Sequence, residues 1–171
     1  LSLQLRASPP RPQPSMKLKL ISIGTKMPRW VQEGVDEYSK RIVGDLGFSL
    51  LELPMAKRTK TQSPEVCREK EGEAILASVQ DADYVVSLEV LGKPIDTPAL
   101  AARLEHFKRQ GRNICLLVGG PDGLSKACAA RADESWSLSA MTLPHPLVRV
   151  IMVEQLYRAS SLSKGHPYHR A

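Results

Sequence analysis

The chain is poor in cysteine, and none of what it has is paired: Cys67, Cys115 and Cys128 form no CxxC motif and are odd in number. A disulfide framework is therefore excluded as the basis of the fold. Cys115 lies inside an apolar run, so buried free thiols in a reducing cytosol are the expectation. No apolar stretch approaches the length needed to span a bilayer. The glycines match neither GxGxxG nor the lysine-bearing P-loop, so a dinucleotide or nucleoside-triphosphate site has little support. No internal repeat is visible. Residues 1–15 lack the unbroken apolar segment of a signal peptide, and four prolines between Pro9 and Pro14 preclude a helix or central strand there. They read as a disordered extension upstream of Met16, leaving residues 16–171 as one domain.

What is present fits an ordinary globular α/β protein: 42% hydrophobic and 25% charged residues, enough chain to bury a core unaided. The formal net charge is +6, to which Arg6 and Arg11 contribute without any acid nearby. A basic excess of this size fits an anionic partner such as nucleic acid without proving one.

Strand and helix patterns alternate from Met16 onward. LKLISIG (Leu18–Gly24) reads as a strand ending at glycine. Pro28–Val43 reads as a helix with Trp30, Val31, Val35, Tyr38 and Ile42 near one face. FSLLELP (Phe48–Pro54) is a second strand, followed by a basic loop of Lys57, Arg58 and Lys60. Ser63, Pro64 and Glu65 supply a cap, a first-turn proline and a first-turn acid for a helix to about Val79. YVVSLEV (Tyr84–Val90) is a third strand, ended by Gly92 and Pro94. Thr97-Pro98 opens a helix that Gly111 closes. ICLLVGG (Ile114–Gly120) is the most continuous apolar run, as in a strand buried on both faces. A short helix after Ser125, a strand near Trp136–Ser139 and a long helix Pro146–Ser161 complete the domain. Five strand–helix alternations predict an α/β fold, a mainly parallel sheet with helices on both faces.

Three strand ends carry small or glycine-rich loops: Leu88–Lys93, Gly119–Ser125 (GGPDGLS) and Ser139–Pro146. If their strands are neighbours, these loops share a pocket. The third loop is small, apolar and hydroxyl-bearing, a wall better suited to an adenine ring and a thioether than to a phosphate. His145 is open to three readings: a base, an RNA contact, or the neighbour of a helix cap. The last long helix is apolar on nearly its whole circumference, with Arg149, Glu154, Gln155 and Arg158 as polar points. Such a helix is buried on more than one side, and a symmetric dimer is the expected consequence. In the tail, His166 and His169 stand at HxxH spacing, but Pro167 opposes the helix that would make them a chelating pair. The tail is either a frayed end or an RNA-contacting arm.

LVGGPDGLS, SWSLSAMTLPHPLVRV, EQLYRA, ISIGTKMPRWV and the terminal HPYHR together resemble the SPOUT-class ribosomal large subunit RNA methyltransferase H family, from Met16 to the end. The resemblance implies an α/β fold with a deep trefoil knot at the cofactor site, which pattern reasoning alone would not propose. It implies S-adenosylmethionine as methyl donor, N3 of a pseudouridine in large-subunit (23S) ribosomal RNA as acceptor, a homodimer and a cytoplasmic setting, with neither metal nor membrane. The implied cofactor residues are Leu88, Gly119 and the run Leu138, Ser139, Ala140, Met141, Thr142 and Leu143. His145 and His169 become candidate bases, and Arg149 and Arg158 candidates to stabilise the anion or hold phosphate. The chain departs from the family in Asp122, where many relatives carry Glu, in the final Ala171, and in residues 1–15. Two rival readings remain: a non-catalytic ribosome-binding factor keeping the fold, and a small-molecule enzyme using GGPDG for a phosphate.

Overall fold

A computed structural model describes residues 15–170, the side chains of His169 and Arg170 excepted. The expected N-terminal extension, Ser15 apart, lies outside the described residues. Five strands alternate with helices: β1 (Lys17–Ile23), α1 (Arg29–Ser39), α2 (Val43–Leu46), β2 (Phe48–Leu53), α3 (Pro64–Ala77), β3 (Tyr84–Pro94), α4 (Thr97–Gln110), β4 (Asn113–Val118), α5 (Lys126–Arg131), β5 (Glu134–Ser137) and α6 (His145–Ser163). A short 3-10 turn, Pro167–Arg170, follows.

The strands form one sheet in the order β2-β1-β4-β3-β5, and every pairing is parallel. Alternating side chains divide the core into two layers. Leu18 and Leu20 of β1, Leu116 of β4 and Val86 of β3 pack with α1, α4 and α6. Ile21, Ile23, Val85, Cys115 and Leu117 face the other way, against Ile75 of α3 and Cys128 of α5. The two-sided burial read from ICLLVGG follows from this arrangement.

Local chemistry sets the helix starts. Ser63, Asp96 and Ser125 side chains each accept a backbone N–H from the first turn of α3, α4 and α5. The expected helix Pro28–Val43 is shorter than its apolar pattern: Arg41 and Ile42 donate to Tyr38 and Ser39, three residues back, and these tighter turns end α1. Strand β3 is longer than expected. Leu88 and Lys93 both stand opposite Trp136, so residues 89–92 bulge out before pairing resumes at Lys93 and Pro94.

At the amino edge of the sheet, Asp45 of α2 joins three elements. Its carboxylate accepts Lys108 of α4 at 2.9 Å, the Ser160 hydroxyl of α6, and Lys164 at 3.4 Å. All three cysteines are buried and free. No helix among the described residues is long and apolar enough to cross a membrane.

Candidate functional site

Strands β4, β3 and β5 are neighbours, so the three loops singled out in the sequence do converge. They enclose a cavity of about 830 Å³ at the carboxyl edge of the sheet. Its walls come from the β3 bulge (Leu88–Leu91), the β4–α5 loop (Val118–Leu124) and the β5–α6 loop with the start of α6.

Each wall has a local cause. Gly92 permits the bulge to close on β5, because a Cβ there would meet Ser135 Oγ at 2.7 Å and the Trp136 backbone at 2.8 Å. Gly119 lies so close to the returning loop that a Cβ would stand 2.4 Å from the Gly123 carbonyl carbon. In the third wall, Ser137 Oγ donates to the Ser139 carbonyl and Ser139 Oγ accepts the Met141 N–H, both at 3.0 Å. These bonds hold the loop in a tight turn and leave Met141 exposed.

Of the residues named from the sequence, Leu88, Gly119, Leu138, Ser139, Met141, Thr142, Leu143 and His145 line the cavity. Ala140 lies within the third loop but is not part of the lining. His145 opens α6, where its Nε2 is out of solvent beside Gly24 and has no hydrogen-bond partner among the described residues. Burial, then the charge of Arg149, holds this imidazole below its ordinary pKa.

Arg149 stands apart from the cavity. Its guanidinium is buried and donates to the Ile23 carbonyl at 3.0 Å, to the Gly24 carbonyl and to Glu52 Oε2 at 2.7 Å. It therefore ties α6 to the carboxyl ends of β1 and β2. Arg158 lies farther along α6, pairing with Glu154 and lying 5.0 Å from the Tyr168 ring centroid. Tyr168 also donates to Glu154 Oε1 at 3.2 Å and packs on Tyr157, docking the tail on α6. The His169 side chain lies outside the described residues.

Sequence reasoning missed an ionic link behind the cavity. Glu71 of α3 is buried and accepts the Ala56 N–H and both terminal nitrogens of Arg58. Arg58 continues to Asp122 of the GGPDG loop at 2.9 Å. The helical spacing of Cys67, Glu71 and Ile75 places Glu71 on the inner face of α3, the one signal that could have exposed it. Glu89, in the bulge, accepts the Ser87 and Ser135 hydroxyls and also lines the cavity. Among the described residues no cluster of His, Cys, Asp or Glu could hold a metal ion.

A glycine-cradled, largely apolar cavity with an unpartnered imidazole at its edge suits a flat heterocycle joined to an apolar tail. A family model described as "Predicted SPOUT methyltransferase" matches residues 16–169. The chain is 53% identical over 155 residues to the ribosomal RNA large subunit methyltransferase H of Hahella chejuensis (strain KCTC 2396), covering 91% of this chain and 99% of that protein.

Proposed function

The chain belongs to the SPOUT methyltransferase family, and from that premise we propose that it moves a methyl group from S-adenosylmethionine to N3 of a pseudouridine in large-subunit ribosomal RNA. The observation carrying this reading is the cavity formed where the loops after β4, β3 and β5 meet, lined by all but Ala140 of the cofactor residues the family resemblance implies. The bound donor supplies an electrophilic methyl group on a sulfonium.

The chain's own part is to bind, align and deprotonate. Leu88, Leu138 and Leu143 offer apolar surface, while the Gly119 backbone admits close approach. His145 accepts the N3 proton, and its lowered pKa keeps it neutral for that purpose. Its unpartnered Nε2 would gain a hydrogen bond from a bound group. Arg149 acts through position: its bonds to the Ile23 and Gly24 carbonyls fix the start of α6, and with it His145. Holding acceptor and donor in line supplies much of the rate.

A homodimer completes this reading. Leu147 and Ile151, one turn apart on α6, are only half-buried; Arg158 lies on the same helix, and the tail follows it. The tail of one subunit then serves the other's pocket. The family's trefoil knot is part of the same proposal. The ribosome, or its large RNA, is the expected partner, in the cytoplasm. Incubating ribosomes that lack the methyl group with this chain and methyl-labelled S-adenosylmethionine tests the assignment. Label in the large RNA supports it, and absence of label there refutes it.

A further inference from the structure

Strands β1 and β2 lie side by side with Ile23 opposite Leu53, and the Gly24 N–H donates to the Leu53 carbonyl at 2.6 Å. The two loops that leave their carboxyl ends are therefore neighbours, beside the cavity. Both are one-signed. Residues 24–30 hold Lys26 and Arg29 and no acid; residues 54–62 hold Lys57, Arg58 and Lys60 and no acid.

These five cations divide into two groups. Arg29 pairs with Glu33, and Arg58 is committed to Glu71 and Asp122. Lys26, Lys57 and Lys60 are exposed, and no anion among the described residues pairs with their ammonium groups. Three carboxylates beside these loops are already engaged: Glu52 by Arg149, and Glu71 and Asp122 by Arg58. What remains toward solvent is a rim of uncompensated positive charge.

The rim is also fixed in place. Arg58 reaches from the β2–α3 loop to Asp122 in the wall of the cavity, and Glu71 accepts the Ala56 N–H at the start of the basic stretch. Cys67 donates to the Lys57 carbonyl at 3.8 Å, pinning the same loop to α3. The loop bearing Lys57 and Lys60 is thus fastened to the loop that lines the cavity.

We infer that Lys26, Lys57 and Lys60 form the phosphate-binding rim for the RNA substrate, lying on the β1–β2 side of the cavity. The inference rests on the reading of the chain as a ribosomal RNA methyltransferase and adds the face on which the RNA backbone lies. Lysine suits this role, because an ammonium binds phosphate as a point charge and tolerates variable backbone geometry. Phosphate contacts of this kind position the nucleic acid without reading its sequence.

Binding to ribosomes that lack the methyl group, measured over a salt series, tests the rim. The triple variant Lys26→Gln, Lys57→Gln, Lys60→Gln is expected to bind at least tenfold more weakly at low salt. Its slope of log affinity against log salt should be shallower by about 2, on the basis of ~0.7–0.9 per phosphate contact. Its affinity for S-adenosylhomocysteine should remain within twofold of the unsubstituted chain. A control, Lys17→Gln with Arg109→Gln, removes two charges at the amino edge of the sheet and should leave the slope unchanged. If the triple variant keeps the parent slope and affinity, or if the control loses as much, the rim is wrong. If the parent chain methylates ribosomes while the triple variant binds them normally, only the rim fails. A parent chain that neither binds nor methylates ribosomes removes the functional reading together with the rim.

Discussion

Arg149 of α6 and Glu52 at the end of β2 form an ion pair of 2.7 Å, with the guanidinium buried and the carboxylate partly in solvent. The two terminal nitrogens of Arg149 also donate to the carbonyls of Ile23 and Gly24, so one side chain joins the last helix to the two strands on the far side of the sheet order. His145, one turn earlier on α6, inherits its position and part of its electrostatic environment from this contact.

Replacing Arg149 separates these two effects. Arg149→Met strands the Ile23 and Gly24 carbonyls and leaves Glu52 to solvent, at a cost of about 1–3 kcal/mol. It also removes a positive charge beside His145, so the imidazole midpoint should rise while burial still holds it below the ordinary value. Arg149→Lys keeps the charge but not the fork, so it should lose stability and leave the midpoint low. Denaturant unfolding and NMR titration of the His145 ring check both. In the parent chain, neutral His145 is the competent form, so the acid limb of turnover should lie lower than for an ordinary histidine and move up in Arg149→Met.

Gly119→Ala should act on the cofactor loop. The new Cβ would stand 2.4–2.6 Å from the Gly123 carbonyl group, which is backbone and cannot swing aside. Affinity for S-adenosylhomocysteine by calorimetry should fall at least tenfold, with the circular dichroism of the sheet retained. Gly44→Ala meets nothing within 4 Å and serves as the neutral comparison.

Asp45 predicts an acid-dependent loss of stability. Burial alone would raise its carboxyl pKa, but hydrogen bonds from Ser160 and Lys108 and the charges of Lys108 and Lys164 outweigh it and lower the value. A carboxyl whose pKa is lower in the folded state stabilises above its unfolded value of about 3.9. That contribution disappears as pH falls through the folded value. Asp45→Asn should cost about 1–3 kcal/mol near neutral pH and flatten the dependence of the unfolding midpoint as pH falls below about 3.9.

The thiols should be silent in the native protein. Burial, followed by the nearby Asp83 carboxylate, pushes Cys115 up to about 12, and burial also raises Cys128. Cys67 is likewise buried. A disulfide-exchange reagent at pH 8 should leave all three unmodified within minutes and titrate three in urea.

Much of this site is legible in the amino-acid sequence. The three loops announced themselves because glycine, proline and hydroxyl residues cluster where apolar runs stop, and that is a local property. Ser63, Pro64 and Ser125 marked their helix starts for the same reason. The order of parallel strands is not local, so the adjacency of β4, β3 and β5 stood only as a condition. The β3 bulge was hidden because its pairing with Trp136 is interrupted and resumed across residues far from β5 in sequence. Arg58 and Asp122 are 64 residues apart, and nothing in either segment alone points to the other. The sequence offers Arg149 as a candidate to stabilise the anion or hold phosphate, but its contacts depend on how α6 crosses the ends of β1 and β2, which no local pattern shows.

The most direct measurement is mass mapping of large-subunit ribosomal RNA from cells lacking this chain, beside cells in which it is restored. The account predicts that one pseudouridine loses a single methyl group at N3 on deletion and regains it on restoration. Persistence of that methylated pseudouridine in the deletion cells would contradict it.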